Sequence, residues 1–253
     1  MDESATIRLA SFGRPMQVAI IGASGAIGRA LTEFLAARDE VGRIFACSRS
    51  GRVPGHAKVV HQPLDLEDEA SIAGAAAAAA RTSGELDLVL VATGILHDGG
   101  LVPEKTWRAL DAAALERAFR VNAIGPALVA KHFLPLLAHQ RKSAFAALSA
   151  RVGSIADNRL GGWHAYRASK AALNQLIRTL AIELARRNPH ALCVALHPGT
   201  VDTGLSAPFQ SAVPADKLFT PAFAATRLLA VLDNLRAQDS GELFAWDGQA
   251  IPF

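Results

Sequence analysis

The chain has 253 residues, of which 51% are hydrophobic, and it carries 26 Lys and Arg against 23 Asp and Glu. This length suits a single α/β domain with a sizeable core. The charge is nearly balanced and the basic residues are scattered without a run of five, so we expect no nucleic-acid partner.

No segment has the length and uniform apolarity of a membrane span. The longest candidate, residues 127–138, is interrupted by Lys131, His132 and Pro135. The N-terminus lacks a continuous apolar signal segment, and the two cysteines both lie in strand-like apolar runs, which suits free thiols of a reducing compartment. We therefore expect a soluble, cytoplasmic protein with no membrane partner and no metal site.

The first residues differ from the rest of the chain. Residues 1–15 show no clear apolar period and end in Gly13-Arg14-Pro15. We interpret them as an N-terminal arm, and we assign residues 16–253 to one domain because no repeat or linker follows.

A glycine-rich turn follows the first predicted strand, residues 17–21. The turn reads Gly22-Ala23-Ser24-Gly25-Ala26-Ile27-Gly28, and an amphipathic helix continues to Arg38. Glycines allow a tight turn and a close approach to a pyrophosphate, whose charge the helix N-terminus favours. This strand, turn and helix indicate phosphate binding; the alternative is a purely structural turn.

The second predicted strand, residues 43–47, ends in Ser48-Arg49-Ser50. In a dinucleotide-binding fold an acid at this point holds the ribose 2′-hydroxyl, whereas an arginine accommodates a 2′-phosphate. The segment has Arg49 and no acid, which favours NADP(H) over NAD(H), with Arg29 or Arg52 as further candidates. The alternative is that Arg49 is a solvated loop charge.

Two further strands complete the first half of the chain. A strand at 58–62 leads to Leu64-Asp65-Leu66, where the Asp65 carboxylate could accept from an adenine amino group, and a helix spans 67–81. A strand at 86–91, apolar except for Asp87 and typical of a strand buried on both faces, ends at Ala92-Thr93-Gly94. The βαβαβαβ order predicts an α/β fold, a Rossmann-type doubly wound parallel sheet with helices on both faces.

A long helix is predicted at 111–137, after a polar loop at 95–108. It contains Asn122 in an apolar stretch and Pro126, which cannot donate a hydrogen bond to the Asn122 carbonyl. A local distortion there could expose this carbonyl to a water near the site. The alternative is an ordinary kink.

The next strand, 145–148, is followed by a loop and by a helix that runs to Arg187. Tyr166 and Lys170 lie one turn apart on one face of this helix. A nearby ammonium favours the phenolate, so Lys170 is expected to lower the pKa of Tyr166 and make it an efficient acid. The alternative is a surface or packing pair.

The last third begins with a strand at 191–196 and the turn His197-Pro198-Gly199. Backbone amides of this turn, with Thr200 and Thr203, lie at a strand end where a nicotinamide amide or a phosphate could bind. An apolar flap over a substrate is predicted at 205–219. A last helix and a last strand are predicted at 220–236 and 243–246.

Together these motifs resemble the short-chain dehydrogenase/reductase family over nearly the whole chain from Gln17. Within the family, residues 148–155, Gly161-Gly162-Trp163 and the ending Trp246-Asp247-Gly248 are similar to sniffer-type carbonyl reductases and bacterial C-signal proteins. The family resemblance is carried by the Gly22, Gly25 and Gly28 turn, Asp65, Ala92-Thr93-Gly94, Asn122, Tyr166-x-x-x-Lys170 and Pro198-Gly199.

The resemblance implies a mechanism. NADPH would deliver hydride to a carbonyl carbon, Tyr166 would donate a proton to the developing alkoxide, and a serine hydroxyl would hold that oxygen. It further implies that Lys170 binds the nicotinamide ribose and that Asn122 anchors a water that relays protons to Lys170.

Three departures from the family pattern bear on these assignments. The glycine spacing differs from the one usual in the single-domain branch, and the Ala92-Thr93-Gly94 motif lacks an asparagine. The family's usual serine position holds Ala150. We therefore assign the catalytic serine to Ser149, with Ser154 as the alternative.

We predict an NADPH-dependent oxidoreductase that reduces an apolar aldehyde or ketone. One alternative is an NADP(H)-binding signalling or sensor protein with little turnover; a nucleotide-sugar epimerase or dehydratase is disfavoured because little chain follows Pro198. By analogy we expect a homodimer or tetramer formed by the helices at 111–137 and 163–187. The predicted catalytic residues are Asn122, Ser149, Tyr166 and Lys170, and the predicted cofactor-binding residues are Gly22, Ser24, Gly25, Ala26, Ile27, Gly28, Ser48, Arg49, Asp65, Leu66, Ala92, Thr93, Gly94, Tyr166, Lys170, Pro198, Gly199, Thr200, Val201 and Thr203.

Overall fold

The computed structural model describes residues 9–253, in which strands and helices alternate. The strands are β1 Met16–Ile21, β2 Val41–Ser48, β3 Val59–Pro63, β4 Leu88–Val91, β5 Ser143–Leu148, β6 Ala191–His197, β7 Thr200–Val201, β8 Leu218–Phe219, β9 Leu243–Ala245 and β10 Ala250–Ile251. The α-helices are α1 Ala26–Ala36, α2 Glu69–Ser83, α3 Ala112–Phe119, α4 Gly125–Phe133, α5 His164–Arg187 and α6 Pro221–Asn234.

The main sheet has eight strands in the order β10-β9-β6-β5-β4-β1-β2-β3. Its neighbouring strands are parallel, apart from the antiparallel pair of β9 and β10. The short strands β7 and β8 form a separate parallel pair. The chain adds β2 and β3 on one side of β1 and then returns to place β4 on the other side, so the strand order reverses between β1 and β4.

Side chains of the central strands alternate between two helical layers. In β1, Val18 and Ile20 pack in the core that includes Leu31 of α1 and Leu228 of α6. Ala19 and Ile21 pack in the opposite core, which holds apolar residues of α2, α4 and α5. A parallel sheet covered on both faces buries its central strands, and the predicted doubly wound α/β fold is confirmed.

The N-terminal residues that the structure describes pack on the α1 and α6 layer. Leu9 and Phe12 are buried in that core, and Ser11 Oγ donates to Asp233 Oδ1 at 2.6 Å. The remainder of the predicted arm, residues 1–8, lies outside the described residues. The domain boundary at residue 16 therefore stays a prediction.

The segment at 111–137 is not the single continuous helix that the sequence predicts. α3 passes into a π-helical turn at Arg120–Ile124, and α4 ends in a 3₁₀ turn at Leu134–Leu136. Pro126 and Pro135 lack amide hydrogens, so regular α-helical hydrogen bonding is interrupted at both points. The π turn contains Asn122, where a local distortion was expected, and such turns are frequent at functional sites.

The expectation of free cysteines is confirmed. Cys47 and Cys193 are buried free thiols, and burial raises the pKa of each to about 12. Both therefore remain protonated and unreactive at neutral pH. Among residues 9–253, no helix combines the length and apolarity needed to cross a bilayer.

Candidate active site

Two cavities lie side by side at the carboxyl ends of the strands. One has a volume of about 610 Å³ and the other about 360 Å³. Gly25 and the segment Ala92-Thr93-Gly94 line both, so the cavities are two halves of one crevice. The crevice crosses the sheet where β1 and β4 are neighbours, which is the strand-order reversal where doubly wound sheets bind their ligands.

The structure brings most of the predicted site residues to this crevice. Gly28, Asn122 and Ser154 are outside the linings of both cavities. Of the predicted residues, the larger cavity contains Gly25, Ala26, Ile27, Ala92, Thr93, Gly94, Ser149, Tyr166, Lys170, Pro198, Gly199, Thr200, Val201 and Thr203, and the smaller adds Gly22, Ser24, Ser48, Arg49, Asp65 and Leu66.

The glycine-rich turn has the geometry of a phosphate cradle. Gly22 has φ of 87°, and a Cβ there would approach Thr93 Cγ2 to 2.8 Å. A Cβ at Gly28 would overlap the Gly22 carbonyl oxygen, so α1 packs directly against the turn. Among the side chains of residues 9–253, none caps the start of α1 at Gly25, which leaves its first amides available to an anion.

The smaller cavity contains the residues that were predicted to meet the adenosine half of a dinucleotide. Arg49 is exposed at the end of β2, and among residues 9–253 no ion-pair partner accompanies it. On the opposite wall Arg117 forms ion pairs with Glu67 and Asp98. The enclosed Thr93 hydroxyl has no hydrogen-bond partner in the described part of the chain, so a polar ligand group can pair with it.

Tyr166 and Lys170 face the larger cavity from the first two turns of α5. Lys170 Nζ donates to the Leu148 carbonyl at 2.8 Å and lies 5.9 Å from the centre of the Tyr166 ring. The Lys170 hydrogen bond ties α5 to the carboxyl end of β5. No protein atom within residues 9–253 hydrogen-bonds the Tyr166 hydroxyl, which leaves that hydroxyl available to a ligand.

The predicted direction of the Tyr166 pKa shift is wrong for the chain without a cofactor. Burial raises the pKa of Tyr166 to about 12. Burial also lowers the pKa of Lys170 to about 7, which weakens the ammonium that was expected to favour the phenolate. Desolvation disfavours the charged form of each group, so both are biased toward their neutral forms.

The side chain of Asn122 links two segments that border the crevice. Its Oδ1 accepts from the Ile95 amide at 2.9 Å, and its Nδ2 donates to the Ile95 carbonyl at 2.9 Å and to Ser169 Oγ at 3.1 Å. The side chain is fully buried. It therefore joins the segment that follows β4 to α5, while its backbone carbonyl is part of the π turn.

Ser149 does not present a free hydroxyl proton to the cavity. Ser149 Oγ donates to Asn174 Oδ1 at 2.6 Å, and Asn174 Nδ2 donates to the Gly153 carbonyl at 3.3 Å. The alternative, Ser154, accepts from the Asp157 amide at 3.0 Å and is outside the cavity lining. The sequence could not reveal this because Asn174 lies 25 residues beyond Ser149.

Aromatic rings form the outer wall beside Tyr166. The Trp163 ring lies 6.3 Å from the Tyr166 ring and 5.0 Å from the Phe209 ring, measured between centres. Leu96, Val152, Leu205, Phe209 and Val213 make this part of the larger cavity apolar. The segment at 205–219, predicted as an apolar flap, supplies two short 3₁₀ helices and β8.

Glu104 caps α5 from a distant loop. Its buried carboxylate accepts from the Ala165 amide at 3.2 and 3.3 Å, and its carbonyl accepts from the Trp163 amide at 2.5 Å. Trp163 has φ of 51°, a left-handed conformation that is unusual for a residue with a side chain. Glu104 thus fixes both the start of α5 and the backbone of the aromatic wall.

Two residues with clear places in the site were missed from sequence. Glu104 gives no local signal because its contacts are 61 residues away. His197 does give a local signal in the sequence, because it is a titratable residue at the carboxyl end of a buried strand, where ligands bind in this fold. His197 lines the larger cavity. Burial, and to a lesser extent the positive charge of Arg151, lowers the pKa of His197 to about 4.

The chain belongs to the short chain dehydrogenase family, whose sequence profile matches residues 16–213. Over 150 residues it is 36% identical to the C-signal protein of Myxococcus xanthus, covering 58% of this chain and 85% of that one. The fold is similar to that of an NADPH-bound carbonyl reductase from chicken fatty liver, with 29% identity, a TM-score of 0.81 and 95% of each chain covered. The carbonyl reductase Sniffer of Drosophila melanogaster has the same fold, with 20% identity, a TM-score of 0.82, and 95% and 100% of the two chains covered.

These similarities confirm the family that the motifs indicated, including its sniffer-type and C-signal relatives. The chain is an oxidoreductase of a family whose fold binds a nicotinamide cofactor. The unpaired Thr93 hydroxyl, the open amides of α1 and the cradle at Gly22 fit such a group.

Proposed function

We propose that the protein is an NADPH-dependent carbonyl reductase that acts on apolar aldehydes or ketones. The observation that carries the proposal is the shared cavity that brings Tyr166 and Lys170 to the glycine-rich turn and the Pro198-Gly199 turn. When bound, the cofactor supplies the hydride. The neutral Tyr166 phenol supplies the proton to the substrate oxygen.

The residues around the proton donor position it and keep it neutral. Lys170, held by the Leu148 carbonyl, would bind the nicotinamide ribose. Because burial raises the pKa of Tyr166 to about 12, the donor stays protonated at physiological pH. The aromatic wall of Trp163 and Phe209 excludes water from one side of the reacting carbonyl.

The preference for NADPH is supported by Arg49 and by the NADPH-bound relative from chicken. Arg49 has no pairing acid within residues 9–253, so it can meet a 2′-phosphate without breaking an ion pair. Asp65 and Leu66 line the same half of the crevice and would contact the adenine. The apolar side chains of the larger cavity favour an uncharged substrate.

One observation favours a second candidate function. The Ser149 proton is engaged by Asn174 and position 150 is alanine, so the expected serine donor is missing. The similarity to C-signal is consistent with a signalling protein that binds NADP(H) with little turnover. The unpaired Tyr166 hydroxyl in the cavity supports the reductase instead, because cofactor binding alone needs no proton donor.

The reductase proposal is tested by the loss of NADPH absorbance, with NADH in parallel, against a panel of aldehydes, ketones and quinones. We expect turnover with NADPH and a loss of at least 100-fold in kcat for Tyr166→Phe, which keeps the ring but has no proton to donate. Tight NADPH binding without turnover on the panel, together with no effect of Tyr166→Phe, would favour the signalling alternative.

A further inference from the structure

Neither predicted serine offers a proton to the cavity, because Ser154 is outside the cavity lining and the Ser149 proton is engaged within the protein. A hydroxyl has one proton, and that of Ser149 is used on Asn174 Oδ1 at 2.6 Å. Exchanging the oxygen and nitrogen of the Asn174 amide would free this proton, but it would place an oxygen against the Gly153 carbonyl, where Nδ2 now donates at 3.3 Å. The hydrogen bonds therefore fix the direction of the network, and another donor is needed.

His197 lies at the strand end where that donor is needed. The Ser149 amide donates to the Leu196 carbonyl at 2.8 Å, so His197 follows beside Ser149 and Ala150. Lys170 Nζ reaches the adjacent Leu148 carbonyl, which brings α5 to the same point. Ala150, Tyr166 and His197 all line the larger cavity.

The His197 ring has a hydrogen-bond donor that the described protein does not use. Nδ1 is enclosed and unpaired, and no residue in the range 9–253 pairs with Nε2, which leaves Nε2 as the nitrogen that a ligand in the cavity can reach. The lowered pKa of His197, about 4, keeps the ring neutral at neutral pH. A neutral imidazole carries one N–H donor and one acceptor, so it can polarise a carbonyl without bringing a charge into the cavity.

We propose that His197 donates a hydrogen bond from Nε2 to the substrate carbonyl oxygen, in the place where the expected serine hydroxyl is missing. This inference rests on the proposed reductase function. His197 and Tyr166 then act on the same oxygen: His197 stabilises the negative charge that develops on it, and Tyr166 supplies the proton. A single donor of this kind contributes about 10²- to 10³-fold to kcat in other enzymes.

The test compares two variants of similar size in the full-length chain. His197→Phe keeps a ring but removes the N–H, whereas His197→Gln keeps a donor. We expect His197→Phe to lower kcat by about 100-fold while the Kd for NADPH and the thermal midpoint change little, and His197→Gln to lose less. Ala150→Ser added to His197→Phe is expected to restore part of the rate, because it introduces a hydroxyl into the cavity wall.

Three results would overturn the inference. If the unchanged chain reduces no carbonyl on the panel, the proposed function fails and the role of His197 fails with it. If the unchanged chain is active and His197→Phe keeps at least a third of its kcat, the role of His197 alone fails. If His197→Gln loses as much kcat as His197→Phe and Ala150→Ser restores nothing, His197 has only a packing role.

Discussion

At the scale of single residues, burial sets the protonation state of the groups in the site. Tyr166 and Lys170 lie one turn apart on α5, and this spacing alone suggested that the Lys170 ammonium would favour the Tyr166 phenolate. The surrounding protein outweighs this pairing because it desolvates both groups. Helical spacing places two side chains together, but it contains no information about the dielectric around them, so the sequence could predict the pair and not its protonation.

The first prediction concerns the titration of Tyr166, the one tyrosine of the chain. Without cofactor, the absorbance of the phenolate should be absent up to about pH 10.5, since the pKa of Tyr166 is about 12. Adding NADP⁺ should lower the apparent pKa, because its nicotinamide ring brings a positive charge. Tyr166→Phe provides the spectroscopic blank. A phenolate signal centred near the ordinary pKa of about 10 in the free protein would contradict this account of burial.

A second prediction concerns Arg49 and cofactor choice. Arg49→Gln should weaken NADPH binding by about 10- to 100-fold, the contribution of a charge-assisted hydrogen bond, and leave NADH binding unchanged. The measurement is the Kd of each cofactor by fluorescence titration. Arg186→Gln, on the exposed surface of α5, is the control for a general loss of positive charge. Equal loss of NADPH and NADH affinity in Arg49→Gln would mean that Arg49 does not read the 2′-phosphate.

At the scale of elements, the sequence predicted the strands and the catalytic helix well, and the reason is periodicity. The runs that became β1, β4 and β6 are mostly apolar, and a glycine or a proline lies within a few residues of each end. The helix at 111–137 was less accurate because the pattern of apolar residues continues through Pro126 and Pro135 although the hydrogen bonding does not. Contacts between distant loops, such as Glu104 with the start of α5, leave no trace in local periodicity.

The third prediction concerns the Glu104 cap. Glu104→Ala should destabilise the protein by about 1 to 2 kcal/mol, the usual effect of removing a helix cap, and should lower kcat because Trp163 and the first turn of α5 lose their anchor. Thermal unfolding and steady-state kinetics are the measurements. Glu104→Gln retains an acceptor for the Ala165 amide and should recover most of both losses.

Glu116→Ala serves as the matched control, since Glu116 is an exposed acid on α3. A Glu104→Ala variant with full activity and unchanged stability would show that the cap contributes nothing to either property.

At the scale of the whole molecule, one sheet buries an apolar layer on each of its two faces. The polar residues of the site follow the carboxyl ends of its strands. That arrangement was predictable because strands in a doubly wound sheet are apolar throughout and chemical residues follow their carboxyl ends. The burial of Leu9 and Phe12 was not, because residues 1–15 have no period. The subunit number stays a prediction; Ile124 in the π turn and Ile182 on α5 are exposed apolar residues of the two helical segments expected to pair.

A fourth prediction follows for the stability of the whole fold. Burial lowers the pKa of Lys170 from 10.5 to about 7, so between these values the unfolded chain binds more protons than the folded one. Folding stability should therefore rise with pH across this window, by about 1.4 kcal/mol for each unit of pKa difference. Lys170→Met should abolish activity and should also remove this rise in folding stability. The measurement is denaturant unfolding without cofactor at pH 7 and pH 10.

Above about pH 10 the raised pKa of Tyr166 acts in the opposite direction, because the folded state then holds the proton more tightly. Comparison of Lys170→Met with the unchanged chain cancels this contribution. Parallel stability curves for the two proteins between pH 7 and pH 10 would contradict the assigned burial of Lys170.

The most direct test of the central claim is the transfer of deuterium to the alcohol product from NADPH that carries deuterium in place of both hydrogens at the nicotinamide C4 position, followed by mass spectrometry. The account predicts one deuterium per molecule of alcohol formed by the unchanged chain, with the rate of labelled product reduced at least 100-fold in Tyr166→Phe. NADPH consumption without deuterium in the product, or equal labelling rates in the two proteins, would contradict it.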